Sequence, residues 1–166
     1  MKTKPNIHTI SFLVANKPGV LVRIALVFAR RGYNIDSLVV SPSADEKFSR
    51  MTITAIGDPA TLEQIIKQAA KLVDVLHVGE HTSLDAVDRE LALFKIKTTP
   101  ANNAAVTKLT QKYHARILDE NKKSIIIEHT GSTEDLDEFE AALKKQGIVE
   151  LVRSGKLVMA KGLEET

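Results

Sequence analysis

Residues 7–35 read IHTISFLVANKPGVLVRIALVFARRGYNI, and this stretch decides the fold. Apolar and polar residues alternate over Ile7–Ala15, and this period of two predicts a β-strand. The run Asn16-Lys17-Pro18-Gly19 interrupts the pattern, and Gly32 is placed to end the helix that follows. That helix is predicted because apolar residues recur at helical spacing, at Leu21, Ile24, Ala25 and Phe28.

The rest of the first half completes one folding unit. Further strands are predicted at Ile35–Val40, Ser49–Ile56 and near Val73–Val78. The last two flank a second helix, which follows Gly57-Asp58-Pro59. Its apolar face is predicted to contain Leu62, Ile65, Ile66 and Ala69. The order of elements is therefore β-α-β-β-α-β.

The second half repeats this order of elements without repeating the sequence. A helix with Val106, Leu109 and Tyr113 on its apolar face follows the first strand of this half. The other predicted elements are strands at Glu90–Thr98, Ala115–Asp119 and Ser124–Glu128, a helix at Ser132–Gln146, and closing strands at Ile148–Arg153 and Leu157–Ala160.

We therefore predict an α+β fold of two ferredoxin-like βαββαβ modules, each with its helices on one face of an antiparallel sheet. The polar stretch Gly79–Asp88 is the expected boundary, which gives domains at residues 1–80 and 81–166. Because each sheet would keep an open face and open edges, we expect two copies to pair as a homodimer.

Composition excludes several classes of protein. The chain has 166 residues and no cysteine, which rules out disulfides, thiolate metal sites and thiol nucleophiles. A net charge of +2 is too small for an electrostatic nucleic-acid binder. Aromatic residues that could stack on bases instead fall in core-like patterns; they are Phe12, Phe28, Phe94 and Phe139. No apolar run is long enough to span a membrane, and Met1–Asn6 lacks the apolar stretch of a signal peptide, so we expect a cytoplasmic protein.

The sequence contains no catalytic constellation. None of the five histidines lies in a recognisable metal or nucleophile motif. His77 and His81 are four residues apart, but Val75–Val78 is predicted to be a strand, so we do not expect a helical pair of ligands. There is no Gly-x-Ser-x-Gly motif and no phosphate-binding glycine loop. We expect a chain that performs no chemistry itself and holds no metal or cofactor.

The turn at Asn16–Leu21 has the features of a site for a free amino acid. Gly19 allows a ligand to approach the backbone, and the free N–H groups at a helix start favour a carboxylate. The Asn16 side chain offers both a donor and an acceptor. The same residues would also form an ordinary turn with a locally bonded asparagine. Asn34 likewise suits either simple turn chemistry or, in a dimer, a position beside Asn16 of the other copy.

Together these segments resemble the ACT domain, and more closely the regulatory small subunit of acetolactate (acetohydroxyacid) synthase. The resemblance spans nearly the whole chain, with Lys17-Pro18 as a departure from the family pattern. The residues that carry it are Asn16-Lys17-Pro18-Gly19-Val20-Leu21, Arg30-Arg31-Gly32-Tyr33-Asn34-Ile35-Asp36-Ser37-Leu38, Ser49-Arg50-Met51-Thr52-Ile53, Gln64, Lys71-Leu72-Val73-Asp74-Val75-Leu76, Arg89-Glu90-Leu91 and Val152-Arg153-Ser154-Gly155.

The resemblance implies a regulatory role. Small subunits of this family bind the large catalytic subunit, raise its activity and confer feedback inhibition by a branched-chain amino acid, usually valine. The large subunit holds thiamine diphosphate, Mg²⁺ and FAD, and condenses pyruvate with pyruvate or 2-oxobutyrate. By this resemblance, backbone amides near Gly19 would bind the effector carboxylate, the two asparagines would anchor its polar groups, and Val20, Leu21 and Ile35 would line its side-chain pocket. One copy of the homodimer would supply Asn16, Gly19, Val20 and Leu21, and the other copy would supply Asn34 and Ile35.

An alternative is a free-standing ACT-type amino-acid sensor without this enzyme partner. Such a sensor would bind the same ligand but would not alter any acetolactate synthase. Four arginines are candidate contacts for a large subunit, although solvated surface charge is the better explanation for any one of them. They are Arg23, Arg30, Arg31 and Arg50.

Overall fold

The computed structural model describes residues 7–166, so the segment Met1–Asn6 considered as a signal peptide lies outside the described residues. The chain divides into two compact units. The first comprises the residues up to Asp88 together with Gly155–Thr166, and the second comprises Arg89–Ser154.

The first unit is a four-stranded antiparallel sheet with two helices on one face. Its sheet order is β2-β3-β1-β4. The core between sheet and helices includes Phe12 and Phe28, both fully buried. The elements are β1 (Ile7–Ala15), α1 (Val20–Ala29), β2 (Ile35–Pro42), β3 (Phe48–Ile56), α2 (Pro59–Ala69) and β4 (Val75–His81).

The second unit repeats the arrangement, with sheet order β6-β7-β5-β8. Its core contains Phe94 and Phe139, whose ring centroids lie 5.1 Å apart in an edge-to-face arrangement. The prediction that the four phenylalanines are core residues is confirmed. The elements are β5 (Ala86–Lys97), which begins in the first unit, α3 (Asn103–Lys112), β6 (Arg116–Glu120), β7 (Ser124–Gly131), α4 (Thr133–Leu143) and β8 (Ile148–Arg153).

After β8 the chain returns to the first unit. There β9 (Leu157–Ala160) pairs with β5, and the Lys161 N–H donates to the Asp85 carbonyl at 2.8 Å. The returning segment contacts the face of the first sheet that carries no helix. Gly155 packs against Ser37 and Val39, and the Arg50 guanidinium donates to the Thr166 carbonyl. Although this face is polar, several of its side chains are buried, namely Thr9, Ser11, Thr52 and Thr54.

The predicted fold class, two ferredoxin-like βαββαβ modules, is confirmed. The connection between the halves is shorter than expected, because β4 extends to His81 and β5 starts at Ala86. The boundary expected between residues 80 and 81 therefore falls inside β4, where Glu80 lies opposite Ile10 and His81 opposite Thr9.

One side-chain assignment in α1 differs from the prediction. Val20, Ile24 and Phe28 form the buried face, whereas Leu21 is 38% exposed. Helical spacing alone does not show whether Val20 or Leu21 faces the core, because α1 is apolar on more than one side.

Candidate functional site

The turn between β1 and α1 is fixed by the loop that joins β2 to β3. The Asn16 backbone N–H donates to the Lys47 carbonyl at 2.8 Å, and Asn16 Nδ2 donates to the Glu46 carbonyl at 2.9 Å. The side-chain donor is therefore used locally. Among residues 7–166, Asn16 Oδ1 has no protein partner, so the exposed side chain keeps an acceptor for a ligand.

No side chain caps the start of α1. Gly19 occupies the N-cap position with φ 83°, no side chain accepts from the first-turn N–H groups, and the first turn holds no acidic residue. By contrast, Asp58 accepts from the Thr61 N–H at the start of α2. Because the first N–H groups of a helix lack intrahelical partners and carry positive potential, the start of α1 is suited to a carboxylate.

Val20 and Leu21 contribute to this turn in different ways. The Val20 side chain is 4% exposed and packs in the first core, and the Val20 N–H donates to the Lys17 carbonyl at 3.4 Å, so the side chain does not line a surface pocket. The pocket-lining role implied for Val20 by the resemblance is therefore not supported by its position. Leu21 is 38% exposed and presents its side chain beside the open N–H groups.

Asn34 and Ile35 lie at the other end of α1. The helix has ten residues, which corresponds to about 15 Å of helix axis. Within one chain the structure therefore does not bring Asn34 to Asn16. Asn34 is exposed, and Ile35 is half-buried against the first core.

A contact that the sequence analysis missed anchors the residue before Asn34. The Tyr33 hydroxyl donates to the Asp58 carbonyl at 2.5 Å and lies 3.1 Å from Asp58 Oδ2. The Tyr33 ring covers Gly57, where an added Cβ would lie 2.2 Å from Tyr33 Cζ. Burial, with a smaller contribution from Asp58, raises the pKa of Tyr33. In the sequence, Gly57-Asp58-Pro59 indicated only the start of a helix, so nothing pointed to its contact with Tyr33.

The surface of α1 has two distinct flanks. One flank is apolar and exposed, with Leu21 at 38%, Val22 at 60% and Leu26 at 44% exposure. We call these three residues the apolar flank. The other flank faces α2 and the segment after it, where Arg23 forms an ion pair with Asp74 at 2.5 Å.

The histidines near β4 make pairwise contacts. His8 Nδ1 lies 2.6 Å from Glu80 Oε1, and His81 Nε2 lies 2.6 Å from Ser11 Oγ. His77 and His81 both lie in β4, so the prediction that they do not form a helical pair is confirmed. Within residues 7–166, no group of three or more histidine or acidic side chains is arranged to hold a metal ion. None of the helices in the same range combines the length and apolar character that crossing a bilayer requires.

Similarity to known proteins covers both units. Residues 10–77 match the family of AHAS small subunit-like ACT domains, and residues 89–162 match the family described as the small subunit of acetolactate synthase. A probable acetolactate synthase small subunit of Archaeoglobus fulgidus is 43% identical, over 93% of this chain and 97% of that protein. The acetolactate synthase small subunit of Mycolicibacterium smegmatis is 37% identical, over 93% of this chain and 91% of that protein.

The similarity extends to a solved structure. The acetolactate synthase small subunit of Thermotoga maritima superposes with a TM-score of 0.85 at 36% identity, covering 95% of this chain and 98% of that chain. Agreement in sequence and in fold over almost the full length, together with the uncapped α1 start, leads to one conclusion. The chain belongs to the family of acetolactate synthase small subunits, and its first half is an ACT domain.

Proposed function

We propose that this chain activates the large catalytic subunit of an acetolactate synthase and makes it sensitive to feedback inhibition by a branched-chain amino acid, with valine as the first candidate. The chain performs no chemistry itself. Thiamine diphosphate, Mg²⁺ and FAD belong to the large subunit, and the complex works in the cytoplasm.

The uncapped start of α1 beside Asn16 is the observation that carries this proposal. The effector carboxylate would accept from the N–H groups of Leu21 and Val22, where no acidic residue of the first turn competes. The effector ammonium group would donate to Asn16 Oδ1, whose neighbouring Nδ2 is held by Glu46. The exposed Leu21 side chain would contact the aliphatic part of the ligand. A free α-amino acid has these three features.

A second copy of the chain would complete the site. Asn34 and Ile35 lie at the far end of α1 in one chain, but they would approach Asn16 of a partner if two α1 helices packed antiparallel. The apolar flank supports such pairing, because exposed apolar side chains on a helix are a common basis for association. An effector held by both copies would favour one dimer geometry, and a coupling of about 1–3 kcal/mol would transmit this preference to the large subunit.

Alanine substitutions at the two asparagines test the site. Asn16→Ala or Asn34→Ala should raise the valine concentration for half-inhibition by about tenfold or more, since each removes a hydrogen bond to a charged ligand. Activation of the large subunit should remain within about twofold. Asn103→Ala is the matched control, because Asn103 is exposed at the start of α3 in the second unit. Unchanged inhibition in both site variants would contradict the proposed site.

A binding measurement separates the regulatory subunit from the free-standing sensor. The purified chain would be titrated with valine, leucine and isoleucine by calorimetry, and then added to the large subunit in an activity assay. Ligand binding together with activation supports the regulatory role. Ligand binding without any effect on the large subunit would favour the sensor.

A further inference from the structure

The four arginines that are candidate partner contacts differ in their surroundings. Arg23 is paired with Asp74, and Arg50 donates to the Thr166 carbonyl. Arg30 and Arg31 follow the last residue of α1 and are exposed. Across the described range 7–166, neither of these two guanidiniums forms an ion pair with a carboxylate. The structure therefore separates two internally bonded arginines from two that are available to a partner.

Arg30 and Arg31 line a depression of about 380 Å³ together with Val27 and Gln68. Gln68 lies near the C-terminus of α2, which runs antiparallel to α1, so the depression is a groove between the facing sides of the two helices. We call these four residues the basic groove. Val27 is half-buried against the first core and gives the groove an apolar wall.

The basic groove adjoins one end of the apolar flank. Successive residues of an α-helix are rotated by about 100°, which places Val27 and Arg30 near Arg23 and away from Leu21, whereas Leu26 lies one turn before Arg30. The Arg23–Asp74 pair shows that the side carrying Arg23 faces the segment after α2.

A basic residue at a helix C-terminus is favoured by the helix dipole, which by itself explains one cation there. The dipole does not explain two adjacent guanidiniums around a groove without a counter-ion. At the end of α2, for comparison, Lys67 is paired with Glu63 at 2.6 Å.

We propose that the basic groove binds a carboxylate-bearing segment of the large catalytic subunit, an inference that rests on the proposed function. Guanidinium groups bind carboxylates through two parallel hydrogen bonds, and Gln68 can add an amide donor. The apolar wall at Val27 suits a peptide that presents an acidic side chain next to an aliphatic one. A small free anion would not contact the apolar wall at Val27. A protein segment would contact both the wall and the guanidiniums, so it is the favoured occupant.

Charge reversal tests the proposal with the full-length chain and the purified large subunit carrying its own cofactors. Arg30→Glu/Arg31→Glu should weaken large-subunit binding by about 100-fold, and Arg30→Gln/Arg31→Gln by about tenfold with a smaller dependence on salt. Lys122→Glu/Lys123→Glu is the matched control, since it makes the same change in charge at an exposed turn of the second unit. The control should bind within about twofold of the wild type, and valine binding should be unchanged in all variants.

Other results would overturn the proposal. Wild-type affinity in both groove variants would show that the groove does not bind the large subunit. Loss of valine binding with large-subunit affinity retained would assign the groove to the effector site instead. If the unsubstituted chain neither binds nor activates the large subunit, the proposed function fails as well, and this is seen before any variant is made. Thermal melting verifies folding, and the neutral glutamine variant decides the outcome if the glutamate variant unfolds.

Discussion

At the scale of single residues, three glycines share one backbone conformation but differ in their neighbours. Gly147, Gly155 and Gly162 have φ of 85°, 83° and 76°, in the left-handed region. A Cβ at Gly155 would lie 3.0 Å from Ser37 Cβ, whereas a Cβ at either of the other two would have no neighbour within 4 Å. The three positions therefore separate backbone strain from steric crowding.

Alanine at these positions should give a graded loss of stability. Gly147→Ala and Gly162→Ala should each lower the free energy of unfolding by about 1–2 kcal/mol, the cost of a left-handed conformation. Gly155→Ala should lose about 1 kcal/mol more, because the added methyl group presses on β2. Urea unfolding measures all three. Equal losses would mean that the returning segment is not tightly packed on the sheet.

His129 is a buried titratable residue in the second unit. Its ring lies 4.9 Å from the Phe139 ring and 6.3 Å from the Tyr113 ring, and its Nε2 has no hydrogen-bond partner among residues 7–166. Burial lowers the pKa of His129, and the charge of Asp135 opposes this shift only in part. The folded protein therefore favours the neutral imidazole.

This burial predicts a loss of stability in mild acid. As the pH falls below about 6.5, the unfolded chain takes up a proton on His129 that the folded chain does not bind, so the free energy of unfolding decreases. Above that pH both states are neutral and the penalty disappears. His129→Phe keeps an aromatic ring and should flatten the dependence between about pH 5 and pH 7.5. Urea unfolding across this range would contradict the argument if variant and wild type lost stability in parallel.

At the scale of elements, the helices differ in how they begin. In α4, Ser132 and Asp135 form a capping box, and hydrogen bonds from Ser132 lower the pKa of Asp135. In α1, Gly19 provides no side chain at the corresponding position. A helix that lacks its own negative group at the N-terminus leaves first-turn N–H groups open to an outside acceptor, as at α1 and also at α3.

Two substitutions at Gly19 separate charge from shape. Aspartate and asparagine have similar size, and both tolerate left-handed backbone better than other residues. Gly19→Asp would place a carboxylate at the start of α1 and should weaken valine binding by at least about tenfold more than Gly19→Asn. Calorimetric titration of both variants measures the difference. Similar affinities would indicate that the effector carboxylate binds elsewhere.

The sequence predicted where helices and strands begin and end better than it predicted which of their side chains are buried. The bounds of β1, β8 and β9 were predicted to the residue, because clear turn residues adjoin these strands, at Asn16-Lys17-Pro18-Gly19, Gly147 and Ser154-Gly155. Leu21 was placed on the wrong face, since α1 is apolar on both its core side and one exposed flank. Asn16 and Gly19 are close in the sequence and in the fold, so their proximity was predictable. Asn34 lies at the far end of α1 from Asn16, and their approach in the proposed dimer needs a second copy, for which a single sequence carries no direct signal.

At the scale of the whole molecule, two cores share no residue. The first is built on Phe12 and Phe28, and the second on Phe94 and Phe139. A large cavity in one core should therefore affect its own unit first, through local rather than global unfolding.

Phe139→Ala tests the independence of the two cores. The substitution should cost about 3–5 kcal/mol within the second unit. Hydrogen exchange should quicken over residues 89–154 and stay nearly unchanged in β1 and β3. Equal loss of protection in both units would show that they unfold together. Phe28→Ala is the reciprocal variant and should give the opposite pattern.

The return of Gly155–Thr166 to the first unit has a consequence for how the protein is made. The ribosome releases the four strands and two helices of the first unit early, but the contacts of Gly155 with Ser37 and of Thr166 with Arg50 need the last residues of the described chain. During synthesis, the polar face that carries Thr9 and Thr54 therefore stays exposed to solvent until all of the second unit has been translated. Completion of the first unit is thus timed to follow synthesis of the second.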